Sequence, residues 1–159
     1  LLDLDGTLID TAPDMAAALN QLLTEHEQPQ LAFDEIRPHV SQGAMGLIGI
    51  AFREVPMDDE RFERLRKRFL EIYAAVNGKE SCLFEGFQGV LEHMDSTGMP
   101  WGIVTNKPAW LSEPLVAGLG IGDRAGCLVC GDTLDKRKPD PAPLLHAAGL
   151  LKTEPAQCV

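Results

Sequence analysis

Leu1-Leu2-Asp3-Leu4-Asp5-Gly6-Thr7-Leu8-Ile9-Asp10 closes an apolar run with two aspartates one residue apart and then meets a glycine. A stretch of this kind reads as a buried parallel strand that ends in a chemical site. Alternation along a strand points Asp3 and Asp5 the same way, so both carboxylates reach one ligand from one short loop. Two carboxylates this close disfavour joint ionisation unless a cation lies between them or one keeps its proton. Both outcomes suit a nucleophile standing beside an acid/base. A solvated Asp-rich turn is the plain alternative, and the signals farther along the chain speak against it.

Downstream of Gly86 the pattern alternates. Val90, Leu91 and Met94 mark one face of a helix that stops at Gly98, and Trp101 to Val104 read as a strand. Pro108 opens the next helix, Cys127 to Cys130 read as a strand, and Pro141 to Ala148 as a further helix. Gln157-Cys158-Val159 has the look of a strand just beginning. Strands alternating with helices imply a parallel sheet whose ligands bind at the carboxyl ends of the strands.

Between the first strand and this βα series the chain reads as helical throughout. Thr11-Ala12-Pro13-Asp14 has the composition of a helix start, Met15, Leu19, Leu22 and Leu23 mark its apolar face, and Pro29 marks its end. A short segment spans Asp34 to Val40, and a helix runs from about Ala44 to Val55. Another starts at Asp58-Asp59, with Phe62, Leu65, Phe69, Tyr73 and Val76 at spacings of three and four.

Three stretches together carry a family resemblance. Asp3-Leu4-Asp5-Gly6-Thr7 resembles the first motif of the haloacid dehalogenase-like hydrolases, a superfamily rich in magnesium-dependent phosphatases. Gly102-Ile103-Val104-Thr105-Asn106-Lys107-Pro108 is similar to the second motif, and Lys138-Pro139-Asp140-Pro141 to the lysine-bearing third. Order and spacing agree, and the Val-Thr-Asn-Lys-Pro run is typical of the phosphoglycolate phosphatase branch. The resemblance implies an α/β fold with a Rossmann-like parallel-sheet core and an inserted α-helical cap. Residues 1–11 and 84–159 would form the core and residues 12–83 the cap.

The same resemblance implies roles residue by residue. Asp3 attacks phosphorus and carries an aspartyl-phosphate, while Asp5 serves as general acid and then base. The Asp3 carboxylate and Asp5, through its backbone carbonyl, bind Mg2+. Thr105 donates a hydroxyl to the phosphoryl oxygens. Lys138, rather than Lys136, neutralises the nucleophile and the phosphoryl charge. Gly6, Asn106 and Lys107 are candidates for substrate binding, although Asn106 and Lys107 could equally shape their loop. In the cap, Arg37 and the Gln42-Gly43-Ala44-Met45-Gly46 loop are open either to substrate contact or to plain structural roles.

The superfamily's fourth motif, an acidic Gly-Asp loop that completes the magnesium site, has no counterpart here. Gly131-Asp132-Thr133-Leu134-Asp135 precedes Lys138 and reads as a loop. The chain also begins inside its first strand. A fragment, poor in activity by itself, is the resulting expectation.

Fourteen basic against 24 acidic residues give a formal charge of −10, which opposes binding to nucleic acid or to anionic membranes. An anionic substrate then depends on a local field from magnesium, Lys107 and Lys138. No apolar run is long enough to cross a bilayer, and a cytoplasmic location is expected. Cys127-Leu128-Val129-Cys130 has half-site spacing for redox or zinc, but no second pair accompanies it and strand core is the expected role. The four histidines share no ligand spacing.

The expected activity is hydrolysis of a small phosphorylated metabolite, foremost 2-phosphoglycolate. A sugar phosphate such as N-acetylmuramic acid 6-phosphate is the alternative. Carbon–halogen hydrolases fit less well, because Asp5 supplies the acid that a poor alkoxide leaving group needs. A non-catalytic phosphate-binding remnant is the reading from another class. The sequence leaves the oligomeric state open.

Overall fold

The computed structural model describes residues 1–159 and divides into two compact units. Leu1–Asp10 joins Cys82–Val159 in one, and Thr11–Ser81 forms the other.

The inserted unit contains only helices: α1 (Ala12–Glu25), α2 (Phe33–Ile36) followed by a 3-10 turn over Arg37–Gln42, α3 (Gly43–Ala51) and α4 (Glu60–Val76). Helices α1, α3 and α4 pack on one another. Met15, Leu19, Leu22 and Leu23 are buried on α1, and Phe62, Leu65, Phe69, Ile72 and Tyr73 on α4, while the charged residues of α4 stay outside. Each buried aromatic or leucine contributes roughly 1.5–3 kcal/mol through the area it removes from water. Ile72 also belongs to the buried face of α4, and Val76, the last residue of the helix, is only partly buried.

Two helix boundaries differ from the sequence reading. Thr11 makes no capping hydrogen bond, because its backbone is already helical (φ −95°, ψ 0°). Helix α1 also stops at Glu25, short of Pro29. Glu27 adopts φ 57°, Gln28 N donates to Leu23 O at 2.9 Å, and Asn20 binds both backbone groups of Leu31 at 2.9 and 3.0 Å. A left-handed cap and a side-chain clamp therefore end this helix before the proline is reached. At the start of α4, Asp59 caps as its position suggests, accepting from Arg61 N at 2.7 Å.

The other unit carries β1 (Ile9–Asp10), β2 (Cys82–Leu83), α5 (Phe87–Thr97), β3 (Ile103–Val104), α6 (Ala109–Gly118), β4 (Leu128–Val129) and α7 (Ala142–Leu150). β3 pairs in parallel with β4, with Ile103 opposite Leu128 and Val104 opposite Val129. Leu2 adds a parallel bridge on the other side of β3, through Leu2 N to Gly102 O and Val104 N to Leu2 O, both 2.9 Å. β1 and β2 form a separate antiparallel pair. Leu4, Leu8, Ile9, Leu91, Trp101, Ile103, Leu115, Val116 and Ile121 make the main apolar cluster.

The opening segment thus makes isolated parallel bridges, Leu2 with Ile103 and Asp5 with Ile9, and not a continuous strand through Asp5. Immediately after Asp3 the chain curls back, with Leu8 N and Ile9 N donating to Leu4 O at 3.1 and 3.0 Å. Gly6 makes that turn at φ 75°, a conformation costly for other residues. On α5 only Leu91 is fully buried, and Val90 is exposed. The strand expected at Gln157–Val159 is absent too. Pro155–Gln157 forms a 3-10 turn instead, closed by Gln157 N to Glu154 O at 2.8 Å.

Cys127 and Cys130 flank β4 as buried free thiols, and burial pushes both of their pKa values up. No helix is long and apolar enough to cross a membrane.

Candidate active site

The carboxyl ends of Leu2, β3 and β4 lie side by side, so the loops that follow them converge. Asp3 and Asp5 leave the first, Thr105 to Lys107 the second, and Gly131 to Lys138 the third. Each aspartate has its own ammonium group. Lys138 Nζ lies 2.7 Å from Asp3 Oδ1 and donates to Val104 O at 2.7 Å. Lys107 Nζ lies 3.1 Å from Asp5 Oδ1. Separate cations offset the repulsion expected of neighbouring carboxylates.

The two pairs differ in accessibility. The Asp3 side chain is 45% exposed and that of Lys138 22%, whereas Asp5 is 22% and Lys107 only 4% exposed. Asp3 is therefore open to an incoming electrophile. Asp5 is half-withdrawn against a buried lysine. Lys136 belongs to neither pair, since it reaches Asp140 at 3.1 Å on the surface.

Backbone contacts hold the lysines in place. Asn106 Oδ1 accepts from Lys138 N and Asn106 Nδ2 donates to Lys138 O, both at 3.0 Å. This two-point clamp fixes the root of Lys138, so the side chain of Asn106 shapes the loops. Thr105 is buried and its Oγ1 accepts from Lys107 N at 3.1 Å, which leaves the hydroxyl hydrogen to be given to a ligand. Lys107 O accepts from Gly131 N at 2.9 Å and from Ser112 Oγ at 3.4 Å.

Gly131 was not among the expected site residues, yet the packing requires it. A Cβ there would lie 2.1 Å from Asn106 O, so a larger residue would force the second and third loops apart. Asp132 was missed as well: its Oδ1 accepts from Ala109 N at 2.9 Å and ties the third loop to the start of α6. The Gly-Asp dipeptide was the available signal. Gly6 shapes the turn after Asp5 through its positive φ and its bond to Ile9 O at 3.0 Å. Arg37 lies in the inserted unit, with its guanidinium 5.5 Å from the Phe33 ring centre.

Asp3 and Asp5 offer hard oxygen donors of the type that magnesium takes, and that ion commonly binds through one or two carboxylates while keeping several waters. No group of three or more His, Cys, Asp or Glu side chains gathers anywhere in the chain. The donor chemistry of these two residues suits magnesium.

The haloacid dehalogenase-like hydrolase family model matches residues 1–159. A phosphoglycolate phosphatase of Xanthomonas campestris is 42% identical over 159 residues, covering 100% of this chain and 71% of the relative. An N-acetylmuramic acid 6-phosphate phosphatase of Pseudomonas putida is 40% identical over 156 residues, covering 98% and 70%. Among solved structures, that of a predicted phosphoglycolate phosphatase from Haemophilus somnus aligns with a TM-score of 0.82 at 25% identity, over 98% of this chain and 72% of the other.

Proposed function

This chain belongs to the haloacid dehalogenase-like hydrolases, and from that premise we propose that it is a magnesium-dependent phosphatase of a small phosphorylated metabolite. The observation that carries the proposal is the pair of adjacent carboxylates, each matched to a lysine from a different loop.

In this reading the exposed Asp3 carboxylate attacks phosphorus as the bond to the alkoxide breaks, and Asp5 gives the alkoxide its proton. Asp5 then takes a proton from the water that cleaves the aspartyl-phosphate, which frees inorganic phosphate and regenerates Asp3. Lys138 compensates charge on Asp3 and on the phosphoryl oxygens, with its root held by Asn106. Thr105 offers a hydroxyl to the same oxygens. Magnesium, held through Asp3 and the backbone carbonyl of Asp5, would supply further neutralisation of the phosphoryl group.

The substrate proposed first is 2-phosphoglycolate, supported by the relatives at 40–42% identity that carry that name. N-acetylmuramic acid 6-phosphate is the second reading, supported by the Pseudomonas relative at 40%. The net charge of −10 supports neither nucleic-acid nor anionic-membrane partners, and a cytoplasmic place of action belongs to the same proposal.

Phosphate release by the full-length protein from both esters, with magnesium and with a chelator, tests this. Magnesium-dependent turnover of 2-phosphoglycolate at the higher kcat/KM is expected. Preference for the sugar phosphate would select the second reading. Hydrolysis of neither, or hydrolysis indifferent to chelation, would overturn the phosphatase assignment.

A further inference from the structure

We propose that Lys107 is the positioning residue of Asp5, holding the general acid in one orientation and balancing its charge once the proton has left. The inference rests on the phosphatase reading above and assigns Lys107 a part in it other than substrate binding.

Three observations carry it. The Lys107 side chain is 4% exposed, against 22% for Lys138, so its ammonium is withdrawn from the surface that a substrate would reach. Its Nζ lies 3.1 Å from Asp5 Oδ1, and a buried ammonium requires such a partner. Its backbone is fixed at both ends, with N on Thr105 Oγ1 and O on Gly131 N, so the side chain starts from a rigid root.

With Oδ1 held by Lys107, the protonated Asp5 carboxyl presents its proton from a fixed position. As the bond from phosphorus to the alkoxide breaks, that proton passes to the alkoxide oxygen and Asp5 becomes a carboxylate beside an ammonium already in place. The same carboxylate then accepts a proton from the attacking water, which restores the starting state. Stabilisation of this kind is worth most when the leaving group is a poor one.

The test compares wild type with Lys107→Met on two esters that lack a second anionic group, ethyl phosphate and p-nitrophenyl phosphate. We expect kcat on ethyl phosphate to fall on the order of 100-fold and kcat on p-nitrophenyl phosphate by less than about tenfold, with KM changed by no more than about threefold. Lys107→Arg should recover much of the loss, since it keeps a cation next to Asp5. In an Asp5→Asn background, Lys107→Met should leave the ratio of the two esters unchanged.

Equal losses on both esters, or a rise in KM confined to 2-phosphoglycolate with its extra carboxylate, would overturn the proposal. The second result would return Lys107 to substrate binding. If Lys107→Met does not fold, the Lys107→Arg ester ratio decides: a ratio near wild type with KM unchanged supports the proposal, and a raised KM on 2-phosphoglycolate alone overturns it. Failure of wild type to hydrolyse either ester would instead count against the phosphatase reading, so the two failures are distinguishable.

Discussion

The two units of this molecule use buried polar groups for different ends. In the sheet unit, polar contacts hold reactive side chains at strand ends: Lys138 on Asp3, Lys107 on Asp5, and Asn106 on the backbone of Lys138. In the helical unit the corresponding investment is one carboxylate with a purely architectural task. Asp14 is 1% exposed and accepts from Gly78 N at 2.8 Å, Glu80 N at 2.9 Å, Ser81 N at 3.1 Å and Ser81 Oγ at 2.5 Å. It ties the beginning of α1 to the segment that leaves α4, so both ends of the insertion meet on one side chain. A carboxylate saturated by four donors has little acceptor capacity left for chemistry. Asp3, half-exposed with one lysine and one backbone amide, keeps capacity to spare. Unused acceptor capacity, more than burial or charge, separates the candidate nucleophile from the structural carboxylate.

Removing the proposed nucleophile should give the largest effect and bear on activity alone. Asp3→Asn is expected to lower kcat at least about 10³-fold while the fold persists, because the amide keeps the shape and loses the nucleophile. Trp101 and Trp110 both lie in the sheet unit, so an unchanged tryptophan emission spectrum would confirm its integrity. Turnover near the parent rate would break the functional half of the comparison.

Asp14→Ala should do the converse. Three backbone amides and a hydroxyl would lose their shared acceptor, at a cost of about 3 kcal/mol in the stability of the helical unit. The urea midpoint followed by helical ellipticity measures this, and a loss below about 1 kcal/mol would contradict the clamp.

The same contrast explains what could be read from the chain. Asp3, Asp5, Thr105 and Lys138 stand in contiguous motifs whose residue types suggest the chemistry proposed for them, and their positions after strand segments follow from local pattern. Asp14 gave only the signal of an acid in a first helical turn, because its partners lie 64 to 67 positions away and are mostly backbone amides. Backbone donors have no sequence signature. The pairing of Lys107 with Asp5 spans 102 positions and was equally hidden, as was the close approach that makes Gly131 necessary. Helix α4 was legible because its apolar period and its Asp59 cap are both local. The strands were overestimated at Asp5 and at Val159, where tight turns captured backbone groups that a sheet would otherwise use.

The smallest expected effect separates surface charge from buried charge within the helical unit. Arg68 on α4 grips Glu25 at the end of α1 with two hydrogen bonds of 2.8 Å, and this contact lowers the Glu25 carboxyl from 4.5 to about 2. A carboxyl depressed on folding stabilises the folded state fully above its unfolded value, and loses that contribution as pH falls toward the folded one. The window is therefore pH 4.5 down to about 2. Both side chains are substantially solvated, 46% and 33% exposed, so solvent screening leaves the pair worth less than about 1 kcal/mol at neutral pH. Glu25→Gln should lower the urea midpoint slightly at pH 7, and the gap from wild type should close across that window. Added salt should shrink the same gap at pH 7. A gap that persists at the acid end, or that resists salt, would mean that the glutamate acts through packing of its aliphatic stem and not through charge.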